Sequence, residues 1–173
     1  KYRAIDNVGN RENEKTLEVR SDNTPPGSAW SAAEGPWIHK DDRFYLNLAG
    51  RISLASADPV INNVASGVEG IYYGIDAAPS LKYTLPFALN EGIRTINHTA
   101  KDNLGNMEVV KSTAIYVDGT APATTLILAG DQYVGDKQYI SRRTDIILVP
   151  ADPVVNEVAV GVKEIKYAVD GGM

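Results

Sequence analysis

The residues best suited to chemistry sit in two versions of one loop. ADPVINNVASG, residues 57–67, carries Asp58, Asn62 and Asn63. ADPVVNEVAVG, residues 151–161, carries Asp152, Asn156 and Glu157. Carboxylate and amide oxygens are the hard ligands that Ca2+ prefers, although the spacing is not that of an EF-hand loop. One reading of these positions is therefore a calcium site, with a junction aspartate such as Asp118, or Asp76, brought alongside. The other is a solvated loop that bonds to itself while Val64 and Val158 pack inward.

Aromatics offer a second chemistry. Trp30, Trp37 and Tyr72 can stack on sugars or anchor a protein partner, and they can equally fill a core. At an offset of 94, Trp30 falls opposite Thr124 and Trp37 opposite Asp131. They are then either individual packing solutions or special equipment of this stretch.

Catalysis is not expected. The histidines are His39 and His98 and there is no cysteine. His98 lies on an alternating strand at the register of Tyr2, which suits packing and not a general base. Ser53 and Ser56 occupy strand positions without a nucleophile elbow. No phosphate loop or zinc-type cluster is present. The net charge is −5 with no basic block, so nucleic acid is not the expected partner. No apolar run reaches the roughly 18 residues of a membrane span.

What must position these residues is an internal repeat. Residues 57–76 and 151–170 agree at 12 of 20 positions, at an offset of 94. AIDNVGNRE at 4–12 matches AKDNLGNME at 100–108, and DNTPP at 22–26 matches DGTAP at 118–122, both at an offset of 96. A small insertion between 26 and 57 absorbs the difference. The period is about 95 residues, the size of a sandwich domain. The frame is then the end of one repeat at 1–21, a whole repeat at 22–117 and the opening of a third at 118–173. The incomplete outer parts are expected to pair, within one chain or between two as a dimer, because unpaired strand edges invite partners.

Alternation of apolar and polar residues gives the strands. Ile71, Tyr73 and Ile75 share one face, and so do Ile165, Tyr167 and Val169. RISLAS places Ile52 and Leu54 inward, and the strand after Gly92 does so with Ile96, His98 and Ala100. Thr113, Ile115 and Val117 stand where the first segment has Leu17, Val19 and Ser21. SAWSAAEG reads as one helical turn at most. DNxGN, with Asp6 or Asp102 leading, is a hairpin turn whose side chains bond to its own backbone. The expectation is an all-β, Ig-like antiparallel β-sandwich in tandem repeats.

Four motifs carry a family resemblance: Ser66–Gly67–Val68, Asp170–Gly171–Gly172, Tyr83 with Pro86–Phe87, and Asp102, Gly105, Asn106 and Glu108. Together they resemble the Ig-like repeats of bacterial secreted and surface proteins. They are closest to the β-domain repeats named after a leptospiral outer-membrane protein, and similar to accessory domains on the C-terminal side of chitobiase-like glycosidases. Asp76–Ala77–Ala78 departs from the usual glycines. The resemblance implies an extracellular or bacterial cell-surface setting and a structural spacer or stalk, with neighbouring repeats as its partners. Some members of such families adhere to host or matrix proteins. Others are carbohydrate- or protein-binding modules, or accessory β-domains of multidomain glycosidases.

Overall fold

In a computed structural model, residues 1–169 are described, and among them there are strands and no helix. The Asp170–Gly171–Gly172 motif lies outside the described residues. The strands are β1 (Gly27–Glu34), β2 (Trp37–Lys40), β3 (Arg43–Asn47), β4 (Arg51–Ala57), β5 (Val68–Ile75), β6 (Leu81–Lys82), β7 (Gly92–Asp102) and β8 (Lys111–Asp118). They continue with β9 (Ala123–Ala129), β10 (Gln132–Val134), β11 (Gln138–Ile140) and β12 (Asp145–Ala151). Among the described residues no helix is long and apolar enough to cross a membrane.

A six-stranded sheet runs in the order β2-β3-β8-β7-β5-β6, and β1 pairs separately with β4. All pairings are antiparallel except β3 with β8. The core gathers Ile52 and Leu54 from β4 with Ile71, Ile96, Ala100, Ile115 and Val117 from the large sheet. These are the inward positions that alternation selects, and the arrangement is compatible with a β-sandwich. Most of the fully buried side chains lie on β7 and β8, in the middle of the sheet, where neighbours on both sides exclude water; Ile52 on β4 faces them.

Several expectations need correction. SAWSAAEG is not a helical turn but the body of β1, paired with β4 from Gly27↔Ala57 onward. Its alanines favour helix locally, but Trp30 packs on the core from this strand and tertiary burial outweighs that preference. Strand pairing also changes the counterparts of the tryptophans. Trp30 faces Leu54 as Leu126 faces Leu148, so Leu126 and not Thr124 takes its place. Trp37 faces Leu46 as Gln132 faces Ile140, so Gln132 replaces Asp131.

The shift in offset comes in two steps. Ala33 is an extra bulged residue between the pairs Ala32↔Ile52 and Glu34↔Arg51, where β9 and β12 pair without interruption. The turn inside His39↔Phe44 is then one residue longer than the turn inside Val134↔Gln138.

Residues 162–169 alternate like β5 but form no strand. β5 is fastened by β6 and β7, whereas 162–169 meets no pairing strand among the described residues. Alternation offers a face, but the ladder needs a neighbour. Leu17 and Val19 are likewise outside any strand and 68% and 79% exposed, while Ile115 and Val117 at the matching positions are 1% and 0% exposed.

Candidate functional site

The duplicated loop contains a two-residue turn. Asn62 and Asn63 both have positive φ (53° and 60°), and Ile61 and Val64 close the turn with reciprocal backbone hydrogen bonds. Asn156 and Glu157 do the same (47° and 67°) between Val155 and Val158. Such turns need left-handed backbone at both central residues, which asparagine tolerates better than most. All four side chains are exposed. Turn geometry thus accounts for residue types that suggested ligands.

The aspartates of the loop act elsewhere. Asp58 Oδ2 accepts the Gly67 N–H at 2.6 Å, and Asp152 Oδ2 accepts the Gly161 N–H at 2.6 Å. The neighbouring amide is taken by the linker: Ser66 N–H donates to Asp22 Oδ2 at 2.6 Å and Val160 N–H to Asp118 Oδ2 at 2.8 Å. The other oxygen of each linker aspartate accepts from Thr24 or Thr120, both at 3.1 Å. One two-pronged clasp therefore occurs twice, each time joining a linker to the loop that follows it.

Around Asp58 the clasp has a third arm. The hairpin after β7 is built by Asp102, whose Oδ1 accepts from Leu104 and Asn106 N–H and whose Oδ2 accepts from the Asn106 amide. Asp6 makes the matching bonds with Val8 and Asn10. The 102–106 hairpin folds over the loop. Asn103 Nδ2 donates to Ser66 O at 2.8 Å, Asn106 Nδ2 to Asp22 O at 3.1 Å, and Asn103 N–H to Gly67 O at 3.0 Å. Gly67, at φ 85°, faces Asn103 so closely that a Cβ there would lie 3.3 Å from its amide.

Asp22, Asp58 and Asp102 consequently present carboxylate oxygens that all lie within 4.8 Å of one another. Asp22 and Asp102 are buried. The Asp22 carboxyl is held below its usual pKa by the backbone donors of Thr24 and Ser66, against opposition from burial and from Asp102. For Asp102 the largest influence is burial, which raises its pKa, but the hydrogen bonds from Asn106 and Leu104 together outweigh it and the net shift is downward. Both remain ionised at neutral pH.

β1 and β7 also bring together a buried serine and histidine beside the carboxylate of Glu108. Ser28 Oγ is 2.8 Å from His98 Nδ1 and also contacts Glu108 Oε2. Glu108 further accepts the Ser28 N–H, and Lys111 pairs with it. An ionised Glu108 can only accept, so the Ser28 hydroxyl points at it, and His98 Nδ1–H donates to Ser28 Oγ. This order is the reverse of a nucleophilic triad, in which histidine accepts from serine. Chain separations of 70 and 80 residues kept the set out of sight in the sequence.

Burial holds the His98 imidazole below its ordinary 6.5, with Lys111 assisting and Glu108 opposing. The unfolded chain therefore binds that proton first as pH falls. The stability it contributes is complete above about pH 6.5 and is lost as pH drops below that value. Thermal midpoints are expected to decline from pH 7 to pH 5, and His98→Gln to flatten that slope. The depressed carboxyls of Asp22, Asp102 and Glu108 act lower, below their ordinary 3.8 and 4.5.

The aromatics do not form one row. Trp30 is half-buried, meets Phe44 edge-on at 4.9 Å and donates to Thr113 Oγ1 at 3.1 Å. Tyr72 on β5 donates to Glu69 at 2.8 Å beneath the Lys82 ammonium. Trp37 is exposed on β2, four strands from β5, or about 19 Å. With Ile38, Tyr45 and Leu48 it lines a groove of about 840 Å³ that is closed on the other side by 118–122 and 160–163. No family model, curated protein or solved structure matches the chain.

Proposed function

We propose that the chain is a non-catalytic spacer, a stalk of tandem Ig-like modules of about 95 residues belonging to a bacterial extracellular or cell-surface protein. The matched clasps at Asp22 and Asp118 carry this reading. A flexible tether has no use for a linker that bonds into the loop beyond it. The second junction is also gripped from behind: Glu91 Oε1 accepts from Gly119 N–H at 3.0 Å and Thr120 Oγ1 at 2.7 Å. The backbone at Gly92 comes so near the next loop that a Cβ there would sit 3.2 Å from Asn156 Cβ. Such contacts set a direction from one module to the next, which is what a stalk requires, and the natural partners are neighbouring repeats.

The reading is tested by labelling Ile93 and Val154, both exposed, through introduced cysteines in a chain that has no others. A narrow distance distribution by electron–electron resonance is expected, broadening when Glu91 and Asp118 are both replaced by alanine. A distribution that is broad from the start, or one that the double substitution leaves unchanged, overturns it. A carbohydrate- or protein-binding module is the second reading, favoured by exposed Trp37 at the mouth of the junction groove.

A further inference from the structure

We propose that Asp22, Asp58 and Asp102, with Ser66, form a Ca2+ site that pins the linker, the duplicated loop and the β7 hairpin together. Three aspartates from distant parts of the chain bring their oxygens within 4.8 Å. No lysine, arginine or histidine pairs with any of them among the described residues. Carboxylates so close repel one another when ionised, and a cation among them relieves that repulsion.

A second observation points to the same place. Asp58 Oδ1 and Ser66 Oγ each have less than 1 Å² exposed and no hydrogen-bond partner. Buried polar oxygens are rarely left so, and these two stand at one carboxylate cluster, where a single bound cation would satisfy both. Ser66 is held beside the cluster by its own N–H, which donates to Asp22 Oδ2 at 2.6 Å.

The donors are all hard oxygens, which excludes the thiolate and imidazole preferences of zinc and copper. Oxygens within 4.8 Å of one another can share one ion at the roughly 2.3–2.6 Å typical of Ca2+, whose flexible coordination suits a mixed set of carboxylates and a hydroxyl. The backbone donors to Asp22, Asp58 and Asp102 use only part of each carboxylate, so lone pairs remain for a metal. Asp118 and Asp152 repeat two of the three positions. Gly161, the counterpart of Gly67, has nothing within 4 Å of where a Cβ would stand, so no hairpin arm covers that clasp among the described residues.

The inference stands apart from the spacer reading, since the distance measurement can succeed without calcium. Its test is titration of chelator-treated protein with CaCl2 by calorimetry, alongside Asp58→Asn, Ser66→Ala and Asp152→Asn. One Ca2+ per chain is expected. Asp58→Asn keeps an oxygen for Gly67 N–H but removes a charge, and it is expected to weaken binding at least about ten-fold. Ser66→Ala, which leaves every backbone bond in place, weakens it by a smaller factor, and Asp152→Asn leaves it unchanged. Absence of uptake at millimolar CaCl2 overturns the site. So does undiminished affinity in both Asp58→Asn and Ser66→Ala, or loss of binding in Asp152→Asn alone.

Discussion

Ile96→Ala is expected to lower the free energy of unfolding by about 2–5 kcal/mol, the range for emptying a well-packed aliphatic site. Ile96 has no exposed surface and sits in β7, between β5 and β8. Its pairs are Ile75 on one side and Thr113 on the other. Hydrogen-bonded ladders on both flanks prevent the backbone from sinking into the void, so the cavity persists and the cost sits high in the range. Ile96→Val removes one methylene and is expected to cost about 0.5–1.5 kcal/mol. Leu126 on β9 is 57% exposed, and its replacement by alanine is expected to change stability by no more than about 0.5 kcal/mol. Urea denaturation of the three variants decides the matter. Equal losses for Ile96→Ala and Leu126→Ala show that β7 is not the centre of the core.

Glu108→Ala is the other large effect. Its carboxylate accepts both the Ser28 N–H and the Ser28 hydroxyl, and it pairs with Lys111. Removal orphans two donors in a site where Ser28 and His98 are 4% and 1% exposed. At about 1–3 kcal/mol for each buried unpaired group, a loss of about 2–4 kcal/mol is expected. Glu108→Gln retains an oxygen for Ser28 N–H and should lose about half as much. Amide exchange at Ser28 provides a local readout and is expected to accelerate in the alanine variant well beyond the glutamine one. Identical exchange in the two means that Glu108 acts through its bulk and not through these bonds.

What was legible in the sequence was periodic. Ile52, Leu54, Ile71, Ile96, Ala100, Ile115 and Val117 are inward because each follows an alternation of two, and each is buried. The DNxGN turn was legible because its bonds run two and four residues along the chain. Asp58 was among the candidates, with a junction aspartate such as Asp118 expected beside it, but its meeting with Asp22 and Asp102 was not legible, because nothing local says that a linker and a hairpin 80 residues apart will converge on one loop. The loop drew attention to Asn62 and Asn63, whose chemistry resembles that of ligands, but their types answer a demand for positive φ. β1 was misread for the same reason: its alanines speak of local preference, and its conformation is decided by β4 across the chain. The bulge at Ala33 and the longer turn inside His39↔Phe44 likewise leave no mark in an ungapped comparison, so Trp30 was matched two residues out of step.

The parallel pairing of β3 with β8, single among the described residues, bears on how load would cross the proposed stalk. β8 runs directly into the linker at Asp118, while β1 begins directly after the linker at Asp22 and Pro26. Asp22 meets Asp58 and Asp102 at one end of β7, and Gly92 meets Asn156 at the other, so the two linkers leave from opposite ends. Tension between them lies along the strands. The ladders of β8 with β3 and β7, and of β1 with β4, are then strained sideways with all their bonds sharing the force at once, instead of opening one bond at a time from a free end. For the proposed stalk, the topology that buries Ile115 and Val117 is expected to make the segment hardest to extend along the axis on which it is pulled.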